Sequence, residues 1–304
     1  MSSGITVTPL AYAAGASVTG VDLRKPLNAD QVEAITKAWH EHLVLVFPEQ
    51  DLAPQDLVTF TSQFGDIERN DNVPYYRHPE YPEVLLVSNK PVNGKPSQTR
   101  NTGRNWHADL TYTDRPAKGS ALLCKEKPAV GGDTMFANLY MAYDTLSPVL
   151  QSFIEKLEAV HDITLIKGFS RRDPKQVEEM RRLNPPIAHP VVGIHPETGR
   201  RMLFISERVR NFVGMSEEES KPLLDFLNRH ATSPEFVYRH RWSVNDVVMW
   251  DNRATLHVAL ADFDQTQSRH MMRCSLLGEP SGYVVQDGEN ETAGSLGSAL
   301  AAVS

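Results

Sequence analysis

Short runs of strand-forming residues recur along most of this 304-residue chain, each cut off by Pro, Gly, Asn or Asp. Apolar runs that are brief and bounded by turn residues pack as sheets rather than as a helical bundle. Those at 119–126, 158–166, 187–193, 201–206, 235–242, 246–250, 254–258 and 270–277 read as strands, with further β segments within 5–23 and at 84–88. Leu43-Val44-Leu45-Val46-Phe47 shows no polar alternation, so this strand is expected to be buried on both faces. Helical periodicity is confined to 31–42, behind an Asn28-Ala29-Asp30 start, to 54–64, and to stretches near 145–157, 173–182 and 216–230. The expected fold is mainly β with flanking helices, a barrel or jelly roll.

Composition narrows the function. Hydrophobic residues make up 40%, enough for a sizeable core. A net charge of −7 argues against a nucleic-acid surface, and an anionic small ligand would need a locally positive pocket. No run approaches the length of a membrane helix, and Met1 to Thr6 shows no basic and apolar leader. Cys124 and Cys274 are too few for a disulfide framework, a Cys-rich zinc site or an iron–sulfur cluster, and this usage suits a reducing cytoplasm. No repeat or internal linker divides the chain, so 1–285 reads as a single domain. The Asn-, Pro-, Gly-, Arg- and Tyr-rich stretch 66–105 is long enough to be a lid loop, and 286–304, without periodicity, reads as a mobile tail.

Four motifs carry chemistry. In Trp106-His107-Ala108-Asp109 a strand would point His107 and Asp109 to one face, two thirds of the 2-His-1-carboxylate set that holds Fe(II) with open positions. The plain alternative is a surface His beside a solvated Asp. Downstream, Trp250-Asp251-Asn252-Arg253 is a turn after an apolar strand, and His257 follows in apolar company, either a satisfied core histidine or the third ligand. In Arg269-His270-Met271-Met272-Arg273 the two arginines share a face; turned inward, each needs an anion, either two ligand carboxylates or one ligand and one internal partner. On an edge strand both would simply meet water. Gly131-Gly132-Asp133-Thr134 is a turn into a strand whose hydroxyl could reach a ligand carboxylate.

Taken in order, these motifs, with Gly20-Val21-Asp22-Leu23 and Phe64-Gly65, closely resemble the TauD/TfdA family of Fe(II)- and 2-oxoglutarate-dependent dioxygenases from about Gly15 to Gly278. The resemblance implies a cupin-like double-stranded β-helix and makes His107, Asp109 and His257 the iron ligands. It pairs Arg269 and Thr134 with the distal carboxylate of 2-oxoglutarate and Arg273 with the acidic group of the substrate. His257 precedes the first arginine by one residue more than in some members, so the two arginine roles are open to exchange. The implied reaction consumes O2 and 2-oxoglutarate, releases succinate and CO2, and hydroxylates a small anionic substrate such as a sulfonate, sulfate ester or aryloxyalkanoate. A carboxylate at Asp109, rather than a small residue, disfavours halogenation. Taurine-specific members carry a His soon after the Phe-Gly and an Asn four residues before the first ligand; here Asn70 is nearest the former place and Gly103 occupies the latter. Asn70, Tyr75 and Tyr76 become the candidate substrate-facing residues of the lid. Members are commonly dimers or tetramers, so a homo-oligomer is expected. Competing readings are a non-catalytic cupin-like anion-binding protein and a zinc hydrolase built on the same triad; both leave the paired arginines or Thr134 without a task.

Overall fold

A strand buried on both sides must send alternate residues into two different cores, and the central strands here do so. The computed structural model describes residues 4–70, 76–91, 97, 103–166, 169 and 173–285. Its strands are β1 (Thr6–Pro9), β2 (Ala16–Thr19), β3 (Val44–Phe47), β4 (Leu85–Ser88), β5 (Gly119–Glu126), β6 (Thr134–Asn138), β7 (Glu158–His161) and β8 (Ile187–Pro190). They continue as β9 (Val192–Ile194), β10 (Arg201–Leu203), β11 (Val209–Phe212), β12 (Val237–His240), β13 (Val247–Asp251), β14 (Thr255–Ala259), β15 (His270–Leu276) and β16 (Tyr283–Val284). The helices are α1 (Ala29–His42), α2 (Pro54–Ser62), α3 (Leu139–Asp144), α4 (Pro148–Ile154), α5 (Pro174–Leu183) and α6 (Glu217–Ala231).

The major sheet runs β1-β2-β3-β13-β5-β15-β4, antiparallel except for the β2–β3 pair. Facing it are β12-β6-β14 and β11-β7-β8-β16, with a small β9–β10 ribbon. Val44, Val46, Leu122, Val248, Trp250 and Met271 point into the core between the layers, where Phe136 of the opposing β6 meets Trp250. Their neighbours Leu45, Phe47, Leu123, Met249, Met272 and Cys274 point outward, under Ile35 and Trp39 of α1 and Leu57 and Phe60 of α2. The jelly-roll expectation therefore holds, with helices closing the outer face of one sheet. Both cysteines are free and buried.

Local chemistry sets the element ends. Asn28 caps α1 in a reciprocal capping box with Gln31, which matches the expected start. Helix α3 was not anticipated, and α4 lies within the helix expected near 145–157 but is shorter. Asn138 caps the first, Ser147 the second, and Pro148 is admitted only in a first turn. The expected strand 158–166 stops at His161, where Asp162 caps a short 3-10 turn at Ile163–Leu165. Strand β11 was not anticipated, because Val209-Arg210-Asn211-Phe212 mixes apolar and polar residues too briefly to stand out. Part of the proposed lid and all of the 286–304 tail lie outside the described residues.

Candidate active site

Two histidines remote in the chain meet because their backbones pair. His107 N–H donates to the His257 carbonyl at 3.1 Å, and His257 N–H to the His107 carbonyl at 2.8 Å. This isolated bridge attaches residue 107 to the edge of β14 and brings the ring centroids to 4.1 Å. The anticipated His-x-Asp strand is not formed: only His107 is bridged, and Asp109 opens a turn in which Leu110 takes a φ of 57°. What holds Asp109 is Asn252. Its carboxamide oxygen accepts the Asp109 N–H at 2.7 Å, and its nitrogen donates to the carbonyls of Asp109 and Ala117 at 3.0 and 2.9 Å. A fully buried side chain thus supplies the pairing that a neighbouring strand would give.

The three ligand candidates converge. His107 Nε2 lies 3.7 Å from Asp109 Oδ1, and His257 Nε2 lies 3.8 Å from Asp109 Oδ2, all three side chains being buried. These separations are too long for hydrogen bonds. His107 Nδ1 donates to the Asn105 carbonyl at 2.7 Å, which leaves its Nε2 lone pair facing the carboxylate. Burial drives His107 well below its ordinary pKa and brings His257 down to about 4, so both imidazoles are neutral near pH 7. Burial also pushes the Asp109 carboxyl up, but the Arg273 guanidinium and the two imidazoles hold it well below the usual carboxylate range. Two neutral imidazoles and one anion, with donor atoms within 4.8 Å of one another, suit a divalent metal.

A second such cluster, His40, His195 and Asp251, is of another kind. Thr198 N–H donates to His195 Nδ1, so Nε2–H donates to Asp251 at 2.9 Å, and the remaining carboxylate positions are taken by Arg253. The Asp and Arg of the Trp-Asp-Asn-Arg motif therefore form a saturated ion network, while Trp250 packs 4.9 Å from the His257 ring.

The arginine pair divides as one of the two open readings requires. Arg273 has an internal partner, its Nη1 lying 3.0 and 2.9 Å from the two Asp109 oxygens. Arg269 has none: 6% exposed, it donates through Nε to the Gly132 carbonyl at 3.0 Å and lies 3.5 Å from Thr134 Oγ1, with no carboxylate in ion-pair range among the described residues. Burial lowers its pKa to about 10, which leaves it cationic at neutral pH. Trp242 Nε1–H also donates to Thr134 Oγ1, at 3.0 Å, so the hydroxyl proton is available to an incoming acceptor. The turn before it is obligatory, because Gly131 and Gly132 have φ of 77° and 73° and a Cβ on Gly131 would lie 2.2 Å from the Asp262 carbonyl oxygen.

One cavity joins these groups, with the triad, Thr134, Arg269 and Arg273 on its wall. Asn70 and Tyr76 line it as well, but the Asn70 amide nitrogen donates to the Pro82 and Glu83 carbonyls and pins its own loop. Tyr75 lies outside the described residues. Sequence reasoning passed over Asn252 as a holder of Asp109, although it stands in a motif already singled out. It also passed over Arg208, a cavity-lining arginine in a stretch with no distinguishing pattern.

Residues 6–275 match the family model described as taurine catabolism dioxygenase TauD, TfdA family. The chain belongs to this family. A 2,4-dichlorophenoxyacetate dioxygenase of Cupriavidus pinatubonensis, dependent on alpha-ketoglutarate, is 35% identical over 90% of this chain and 98% of its own. An alpha-ketoglutarate-dependent sulfate ester dioxygenase of Pseudomonas putida is 35% identical, covering 90% of each chain. A crystal structure of AAD-2 in complex with Mn(II) and N-oxalylglycine superposes with a TM-score of 0.80 at 32% identity, over 91% of this chain and 100% of that one. As a TauD/TfdA member the protein is a dioxygenase that uses Fe(II), 2-oxoglutarate and O2. That membership displaces the anion-binding and zinc-hydrolase readings. Among the described residues no helix is long and apolar enough to cross a membrane.

Proposed function

We propose that His107, Asp109 and His257 hold the ferrous ion, that Arg269 and Thr134 receive the distal carboxylate of 2-oxoglutarate, and that the enzyme hydroxylates a small organic anion of the aryloxyalkanoate or sulfate-ester type. The convergence of three buried donors at one end of the cavity, with an unneutralised guanidinium beside a free hydroxyl proton, carries the reading. Iron held there with its co-substrate would supply the oxidising power to break a C–H bond beside an oxygen substituent. The chain's own tasks are to keep both imidazoles neutral, to anchor the co-substrate by a charge-assisted contact, and to position the C–H in a site shielded from water. Substrate classes named for the relatives support the anionic assignment. We further read 1–285 as one catalytic domain with 66–105 as its lid, and the enzyme as a cytoplasmic homo-oligomer.

Anaerobic addition of Fe(II) and 2-oxoglutarate should produce a weak visible charge-transfer band that His107→Ala abolishes while its thermal unfolding stays cooperative. A band of full strength in that variant refutes the ligand assignment. O2-dependent succinate release across sulfonates, alkyl sulfates, aryloxyalkanoates and amino acids then identifies the substrate.

A further inference from the structure

A guanidinium removed from water without a carboxylate is costly, so its presence in a cavity wall points to an anion that arrives from outside. Among the described residues, two arginines of this cavity are in that condition. Arg269 is assigned above to the co-substrate. The second is Arg208, which immediately precedes β11 and is 6% exposed. Its Nη1 donates to the Ala108 carbonyl at 3.2 Å, and its Nε is buried with no partner. Ala108 lies between two of the ligand candidates, so this contact sets the guanidinium against the rim of the triad. The nearby Asp109 carboxylate is already engaged by Arg273, and among the described residues no carboxylate forms an ion pair with Arg208. Its planar carbon lies 5.7 Å from the centre of the Tyr112 ring, and the apolar Ile166 and Met180 line the same cavity.

Resting on the functional reading above, we infer that Arg208 receives the anionic group of the organic substrate. Arg273, the receptor that the family resemblance implies, lies on the same cavity wall with its Nη1 on the Asp109 carboxylate. The fork geometry of Arg208 fits a carboxylate or a sulfate oxyanion equally well. Tyr112, Ile166 and Met180 would meet the apolar remainder, so the class is a short aryl- or alkyl-bearing oxyanion whose oxidisable carbon lies between Arg208 and the triad.

The test uses the full-length protein with Fe(II) and 2-oxoglutarate under anaerobic conditions, where a substrate entering the site perturbs the visible band. Phenoxyacetate, hexyl sulfate and the neutral phenoxyacetamide are titrated against wild type, Arg208→Leu and Arg208→Lys. In the wild type at least one anion should bind, and phenoxyacetate more tightly than its amide if the carboxylate is the accepted head group. Arg208→Leu should keep the band and lose at least about tenfold in affinity for the accepted anion, with amide binding unmoved. Arg208→Lys keeps the charge and should fall between the two; if the leucine variant does not fold, lysine binding as tightly as wild type overturns the proposal. So does a folded leucine variant that binds the anion like wild type, or that loses anion and amide equally. A wild type that forms the band but binds neither anion also overturns it. Failure of the wild type to form the band at all refutes the underlying iron and 2-oxoglutarate reading instead.

Discussion

Asn252 shows how a residue that touches no reactant can govern a ligand. Because Asp109 lies in a turn, with Leu110 in the left-handed region, no strand fixes its peptide; the Asn252 carboxamide does. Asn252→Ala should weaken Mn(II) binding by about tenfold, as loss of a partner behind a metal ligand commonly does. Calorimetric titration reads this directly, and a fall in melting temperature with unchanged Mn(II) affinity would mark the residue as merely structural. Asn252→Asp keeps the acceptor for Asp109 N–H but loses both donors, and should be intermediate. At Arg269, alanine should raise the KM for 2-oxoglutarate at least about tenfold and affect the prime substrate less, since a buried charge-assisted contact is lost at one ligand only. Steady-state kinetics with each component varied decides it, and the reverse ranking would assign Arg269 to the prime substrate rather than to 2-oxoglutarate. Most of the site's residues were readable from motif and order: the triad, Thr134 and Arg269 all line one cavity. Arg208 was not, because nothing local distinguishes an arginine whose neighbours in space come from 100 residues earlier.

Elements place these groups only as well as their turns allow. The Gly131-Gly132 turn turns a backbone carbonyl toward Arg269 while its own φ angles are of the kind that glycine alone adopts freely. Gly131→Ala should cost about 1–3 kcal/mol by denaturant unfolding and raise the 2-oxoglutarate requirement as Gly132 is displaced. An unchanged midpoint would show that the loop relaxes without strain. Strand and helix positions were legible where periodicity was sustained, as in α1, α6, β5 and β15. They were misjudged where a single polar residue decided the outcome. Asn138 starts α3 where no helix was expected, Ser147 sets the start of α4 inside the expected one, and Asp162 ended a strand early, through hydrogen bonds to backbone N–H groups that no periodicity reveals.

At the scale of the molecule, burial of neutral histidine ties stability to pH. His161 on β7 is 1% exposed with neither ring nitrogen partnered, and burial holds it well below its ordinary value of 6.5; burial lowers His189 beside it as well. The unfolded chain takes up these protons first as pH falls, so the contribution is complete above about pH 6.5 and is lost progressively below it. Thermal melting between pH 7.5 and 5 should show a falling midpoint, and His161→Leu should flatten that slope; an identical slope in the variant would assign the loss to other groups. The major sheet, clasped between an inner and an outer core, bears on a longer history. Almost any change of shape along its central strands is felt on two sides at once, so inherited novelty in diet has to enter through residues such as Arg208 and the neighbouring loops, which answer to a single surface.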